Sequence, residues 1–83
     1  MKIRVVHRRL GREKAFGLCS PGKREGEWLI EIDERLKGKA HLGTLIHEIC
    51  HAVFPSASET ATLRVERIFR DVLWRQGYRR VQE

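Results

Sequence analysis

The apolar period of this chain changes once, and that change dictates the order of its elements. Before Lys37-Gly38-Lys39 hydrophobic and polar residues alternate; after it the hydrophobic ones recur every three or four positions. Residues 2–10 put Ile3, Val5 and His7 on one face and Arg4, Val6 and Arg8 on the other. Gly11-Arg12 reads as a turn, residues 14–19 as a second short strand, and Ser20-Pro21-Gly22-Lys23 as another turn. Residues 27–33 are the clearest strand, with Trp28, Ile30 and Ile32 opposite Leu29, Glu31 and Asp33. The short connections predict a three-stranded antiparallel sheet.

In the second half, Leu42, Leu45, Ile46, Ile49 and Val53 fall on one side of a helical wheel. They predict a helix over 40–54, stopped by Pro55. A second helix, over 56–76, carries the stripe Ala61, Val65, Ile68, Phe69, Val72 and Leu73, with Gly77 as its stop. Arg64, Arg67, Arg70 and Arg75 lie off that stripe. Strands followed by helices specify an α+β fold, two helices packed on the sheet, rather than a βαβ unit. The 83 residues make one minimal domain. So small a core gains from a metal or a second subunit, so dimerisation is one route to stability. Cys19 and Cys50 are too few for a disulfide framework and are expected as free thiols. No apolar stretch approaches the roughly 20 residues of a membrane-spanning helix. The first ten residues carry no signal-peptide core, so a cytoplasmic location and no membrane partner are expected.

The chemistry is concentrated in His47-Glu48-Ile49-Cys50-His51, an H-E-x-x-H sequence inside the first helix. Residues four apart share a helix face, so both imidazoles can bind one Zn²⁺ through ring nitrogens. Glu48, leaning to the side of that face, can take a proton from a metal-bound water and return it to a leaving group. The apolar residues of the helix centre opposite the two histidines, which places the motif on an exposed strip of a helix whose back is buried.

Two histidines need a third ligand. His41 lies about 100° around the helix and nearly two turns upstream, too far to reach the same ion. His7 sits on a strand, where packing or solvation explains it. Cys50 is next to the metal face, about 60° from His47. Glu59 is the best candidate: it follows the Pro55 turn, and a tightly joined antiparallel helix pair brings it near the end of the first helix. Ser56-Ala57-Ser58-Glu59 also reads as a capping box, in which Glu59 only satisfies a backbone N–H. Glu66 lies two turns further on nearly the same side, as a carboxylate behind the ligands or a substitute for Glu59.

The run from Thr44 to Ala52 resembles the active-site helix of zinc metallopeptidases of the zincin clan, and a glutamate on the next helix is similar to the gluzincin branch. The short length and the ending Leu73-Trp74-Arg75-Gln76-Gly77-Tyr78-Arg79 also resemble small H-E-x-x-H proteins of phages and prophages. The resemblance implies His47, His51 and Glu59 as zinc ligands and Glu48 as general base. It implies strand 27–33 as the edge strand above a cleft, where an extended peptide adds by backbone pairing. Gluzincins carry an acidic residue four positions after the third ligand; here that position is Leu63.

The function expected is hydrolysis of peptide bonds in a peptide or protein by a metal-activated water. Two other readings stand beside it. One is a structural zinc site, its fourth position filled by Cys50 or another group. The other is a basic nucleic-acid-binding module: the net charge is +6, from 17 Lys and Arg against 11 Asp and Glu. The helix is also similar to that of SprT-like proteins, which are associated with DNA.

Overall fold

The structure, a computed structural model, describes residues 1–13 and 15–81. Strands β1 (Lys2–Arg8), β2 (Gly17–Pro21) and β3 (Glu27–Asp33) precede helices α1 (Gly38–Val53) and α2 (Glu59–Arg75). The α+β order holds. The sheet, however, is mixed, with strand order β1-β3-β2. β2 runs antiparallel to β3, from Gly17 opposite Ile32 to Pro21 opposite Trp28. β1 runs parallel to β3, from Lys2 opposite Glu27 to Arg8 opposite Asp33.

The antiparallel expectation fails at β1 because Gly11-Arg12 is no hairpin turn. Gly11–Glu13 is a short 3₁₀ helix. Both flanks of this connection bond to the end of β3: Glu34 N–H donates to Arg8 O, and Asp33 N–H to Phe16 O. The chain therefore crosses the end of β3 and returns on its far side. β3, with apolar residues on both faces, takes the centre, and the charged β1 is left at an edge. β2 also begins later than residue 14, and Lys14 lies outside the described residues. Ser20 and Pro21 belong to the strand, Pro21 at an edge where a missing N–H is tolerated. The turn follows them, with Gly22 N–H donating to Glu27 O at 2.8 Å.

The register puts Val5 and His7, Ile30 and Ile32, and Gly17 and Cys19 on one sheet face. α1 lies against that face, touching β2 and β3, and α2 docks on α1. The fully buried apolar positions are few: Leu10, Ile30, Ile32 and Ala52, with Ile46 and Cys50 nearly so. Both cysteines are free thiols. α2 ends in a Schellman motif, Tyr78 N–H donating to Leu73 O and Gly77 N–H to Trp74 O. Its apolar stripe is only partly used. Thr62 is its buried residue, whereas Ile68, Phe69 and Val72 stay exposed. The helix is rotated so that Glu59 and Glu66, rather than the centre of the stripe, meet α1. No helix is long and apolar enough to cross a membrane among the described residues.

One buried charge closes the end of the sheet. Asp33 is 1% exposed and accepts from the Arg35 guanidinium at 2.9 and 2.7 Å, from Arg35 N–H at 2.9 Å and from Leu10 N–H at 3.3 Å. The arginine, first of all, holds its carboxyl well below the usual carboxylate range. A depressed folded pKa gives stability that is complete above the unfolded value, roughly pH 4, and is lost as pH falls toward the folded one. Asp33→Asn should therefore lower the melting temperature at neutral pH, and the gap to wild type should narrow as pH drops toward about 2. A gap that is constant across that range contradicts this role.

Candidate metal centre

His47 and His51 occupy successive turns of α1, and their rings meet edge to face with centroids 4.7 Å apart. The link to α2 is short. Phe54 N–H still bonds to Cys50 O, Ala57 N–H bonds to Phe54 O, and Ser58 caps α2 by accepting from Ala61 N–H at 3.1 Å. With Ser58 as N-cap, Glu59 is the first helical residue, not the third, so the capping-box role falls away. Its carboxylate instead faces the two histidines: Oε1 lies 3.3 Å from His47 Nε2 and Oε2 lies 3.8 Å from His51 Nε2.

One donor atom from each of His47, His51 and Glu59 fits within a mutual spacing of 4.8 Å. Ligands about 2.1 Å from a tetrahedral metal lie roughly 3.4 Å from one another. The two Glu59 pairs, at 3.3 and 3.8 Å, are near that value, whereas the full spread of up to 4.8 Å has to close by about 1 Å for all three to reach one ion. The donors are also the right kind, two imidazole nitrogens and a carboxylate oxygen.

Glu66 orients the cluster from behind. Its Oε1 lies 2.7 Å from His47 Nδ1, the distance of a charge-assisted hydrogen bond in which the ring donates. A proton held on Nδ1 leaves the Nε2 lone pair for a metal. Arg70, one turn on, approaches the other Glu66 oxygen at 3.8 Å. Gly43 on α1 makes room for this group: a Cβ there would lie 3.0 Å from Arg70 Cδ and 3.4 Å from Glu66 Oε2.

The other candidate ligands are turned away. Cys50 is 5% exposed, its thiol directed at Thr62 Oγ1 at 3.9 Å, so it belongs to the helix–helix core. His41 is buried against His7, their Nε2 atoms 2.9 Å apart. Sequence reasoning assigned these last two separately and missed that they meet, since nothing local links a strand residue to one 34 positions on.

Glu48, about 60° around α1 from His51, turns under the sheet edge. It is 7% exposed. A Cβ at Gly17 would lie 3.0 Å from its Oε2 and 2.8 Å from Thr44 Cγ2, so only glycine lets β2 pass so close. Burial pushes the Glu48 carboxyl up, against the pull of His47 and His51. The strand beside this glutamate is thus β2, an antiparallel edge strand. β3, expected at the edge, is the central strand. Gly17 carries no signal in the sequence that would have marked it.

No family model, curated protein or solved structure matches the chain. The geometry therefore speaks alone. Two carboxylates, Glu59 and Glu66, face the two imidazoles, an arrangement of donors that suits a divalent cation. If Glu66 orients His47, Glu66→Ala should weaken zinc binding about 10- to 100-fold with the fold intact by circular dichroism. Zinc affinity equal to wild type would reduce Glu66 to a helix–helix ion pair.

Proposed function

We propose that the chain is a zinc-dependent metallopeptidase with His47, His51 and Glu59 as metal ligands and Glu48 as general base. The observation that carries this reading is the convergence of a third ligand from a separate helix onto the H-E-x-x-H pair, with donor spacings of 3.3 and 3.8 Å. Bound there, Zn²⁺ supplies a Lewis acid that polarises a carbonyl oxygen and acidifies water.

The residues of the chain divide the remaining work. His47 and Glu59 close the cluster on the α2 side, while His51 and Glu59, 35% and 63% exposed, leave it open to solvent and substrate. Glu48 is buried beside the cluster, and its raised proton affinity suits a group that accepts a proton from the attacking water and passes it to the leaving amine. β2 offers its outer edge for an extended peptide to pair with, next to Glu48. The openness of the ligand set favours catalysis over a structural zinc site, which is closed by four protein ligands.

Glu48→Gln is the decisive variant. It keeps the shape and the three metal ligands while removing the base. Zinc-loaded wild type should cleave members of an extended-peptide library, read by mass spectrometry, and lose that activity with chelator. Glu48→Gln should retain zinc and cleave about 10²- to 10⁴-fold more slowly. A zinc-loaded, folded wild type that cleaves nothing would move the assignment to a structural metal.

A further inference from the structure

Toward the N-terminal end of α1 from Glu48 a cavity of about 460 Å³ opens between β1, the first turns of α1, the end of α2 and the segment after it. Val5, Leu42, Leu45 and Trp74 form its apolar walls. His7, His41, Arg79 and Arg80 supply the charged or titratable lining with the Tyr78 phenol, and no carboxylate is among the lining residues. A concave site of this size, mostly apolar with a few convergent polar groups, has the make-up of a small-molecule pocket.

The polar groups are arranged for an anion. Arg79 donates to Trp74 O and to Tyr78 O, both at 2.9 Å, and its guanidinium lies 3.4 Å over the Trp74 ring, which ties the segment after α2 to the helix. Arg80 has no hydrogen-bond partner among the described residues, and it is close enough to His7 and His41 to disfavour the protonation of both. The two rings are nearly parallel, interplanar angle 16° and centroids 5.2 Å apart, and share one hydrogen bond between their Nε2 atoms. Whichever neutral ring accepts in that bond carries its own proton on Nδ1. Neither Nδ1 has a partner among the described residues, and no buried side-chain nitrogen or oxygen among them is unpaired. Each Nδ1 therefore keeps some solvent contact, and both histidines line the cavity although His41 itself is 6% exposed.

We infer that this cavity binds a small organic anion with a flat apolar body. The carboxylate or phosphate group sits on Arg80 and on the Nδ1–H of the histidine that accepts within the pair, and the body lies against Trp74, Leu42 and Leu45. The site is independent of the metal ligands, which lie on another face of α1. Burial first, then Arg80, lowers the proton affinity of both histidines, and for His41 the neighbouring His7 adds to this. The groups facing the pair are His7 from β1, His41 from α1 and Tyr78, Arg79 and Arg80 after α2, while α2 itself contributes Trp74. A bound anion reverses the balance of charge, so binding takes up a proton and tightens as pH falls through the histidine range.

Trp74 reports on the site directly. In a Trp28→Phe background its fluorescence can be titrated with phenyl phosphate, benzoate, benzyl alcohol and inorganic phosphate. Saturable quenching is expected with phenyl phosphate or benzoate, and the stronger of the two identifies the head group. Binding should be tighter at about pH 6 than at about pH 8, with neutral benzyl alcohol at least about tenfold weaker. Arg80→Ala, an exposed position that does not threaten the fold, should weaken the anionic probe about tenfold or more. Equal binding of benzyl alcohol, or unchanged affinity in Arg80→Ala, would overturn the proposal. So would the absence of saturation by either anion up to about 10 mM, the weak end of specific binding.

Discussion

The contact between the two helices rests on histidine–carboxylate pairs where most small domains use leucines. His47 meets Glu59 at 3.3 Å and Glu66 at 2.7 Å, and His51 meets Glu59 at 3.8 Å. Around them the buried groups are small or polar, Thr62, Cys50 and Ala52. Such an interface has little apolar area to hold it, and a carboxylate drawn partly out of water, as Glu66 is at 22% exposed, carries a desolvation cost. A cation between them would offset that cost and join α1 to α2 through three ligands. In the proposed reading the metal is therefore both reagent and staple, as binding to a partly formed site contributes directly to folding. A domain of 83 residues with so short a list of buried side chains is where such a staple matters.

The same constraint explains the exposed face of α2. Ile68, Phe69 and Val72 are on the stripe that hydrophobic periodicity assigns to the core, yet each is more than 40% exposed. Turning the helix to bury them would swing Glu59 and Glu66 away from the histidines. Periodicity records the average direction of apolar character, whereas the rotation actually adopted is the one that brings Glu59 and Glu66 to the histidines.

What was legible in the sequence was what depends on near neighbours. The switch of period at Lys37-Gly38-Lys39 located both helices, and β3 was read to the residue. The one-turn spacing of His47 and His51, and the two-turn spacing of Glu59 and Glu66, placed four side chains on facing surfaces. What was not legible depends on partners distant in the chain. The direction of β1 is set by where Arg8 and Phe16 bond at the end of β3, and no local pattern records that. The same holds for Gly17 against Glu48 and for His7 against His41, contacts made only once the sheet is laid on α1.

The claim on which the account turns is that α1 and α2 hold one metal between them. Zinc content measured on purified wild type beside His51→Ala and Glu59→Ala tests it most directly. The account predicts about one zinc per wild-type chain, lost in both variants, with a lower melting temperature in each. A folded wild type that takes up no zinc, or a Glu59→Ala chain that keeps it, would contradict the account.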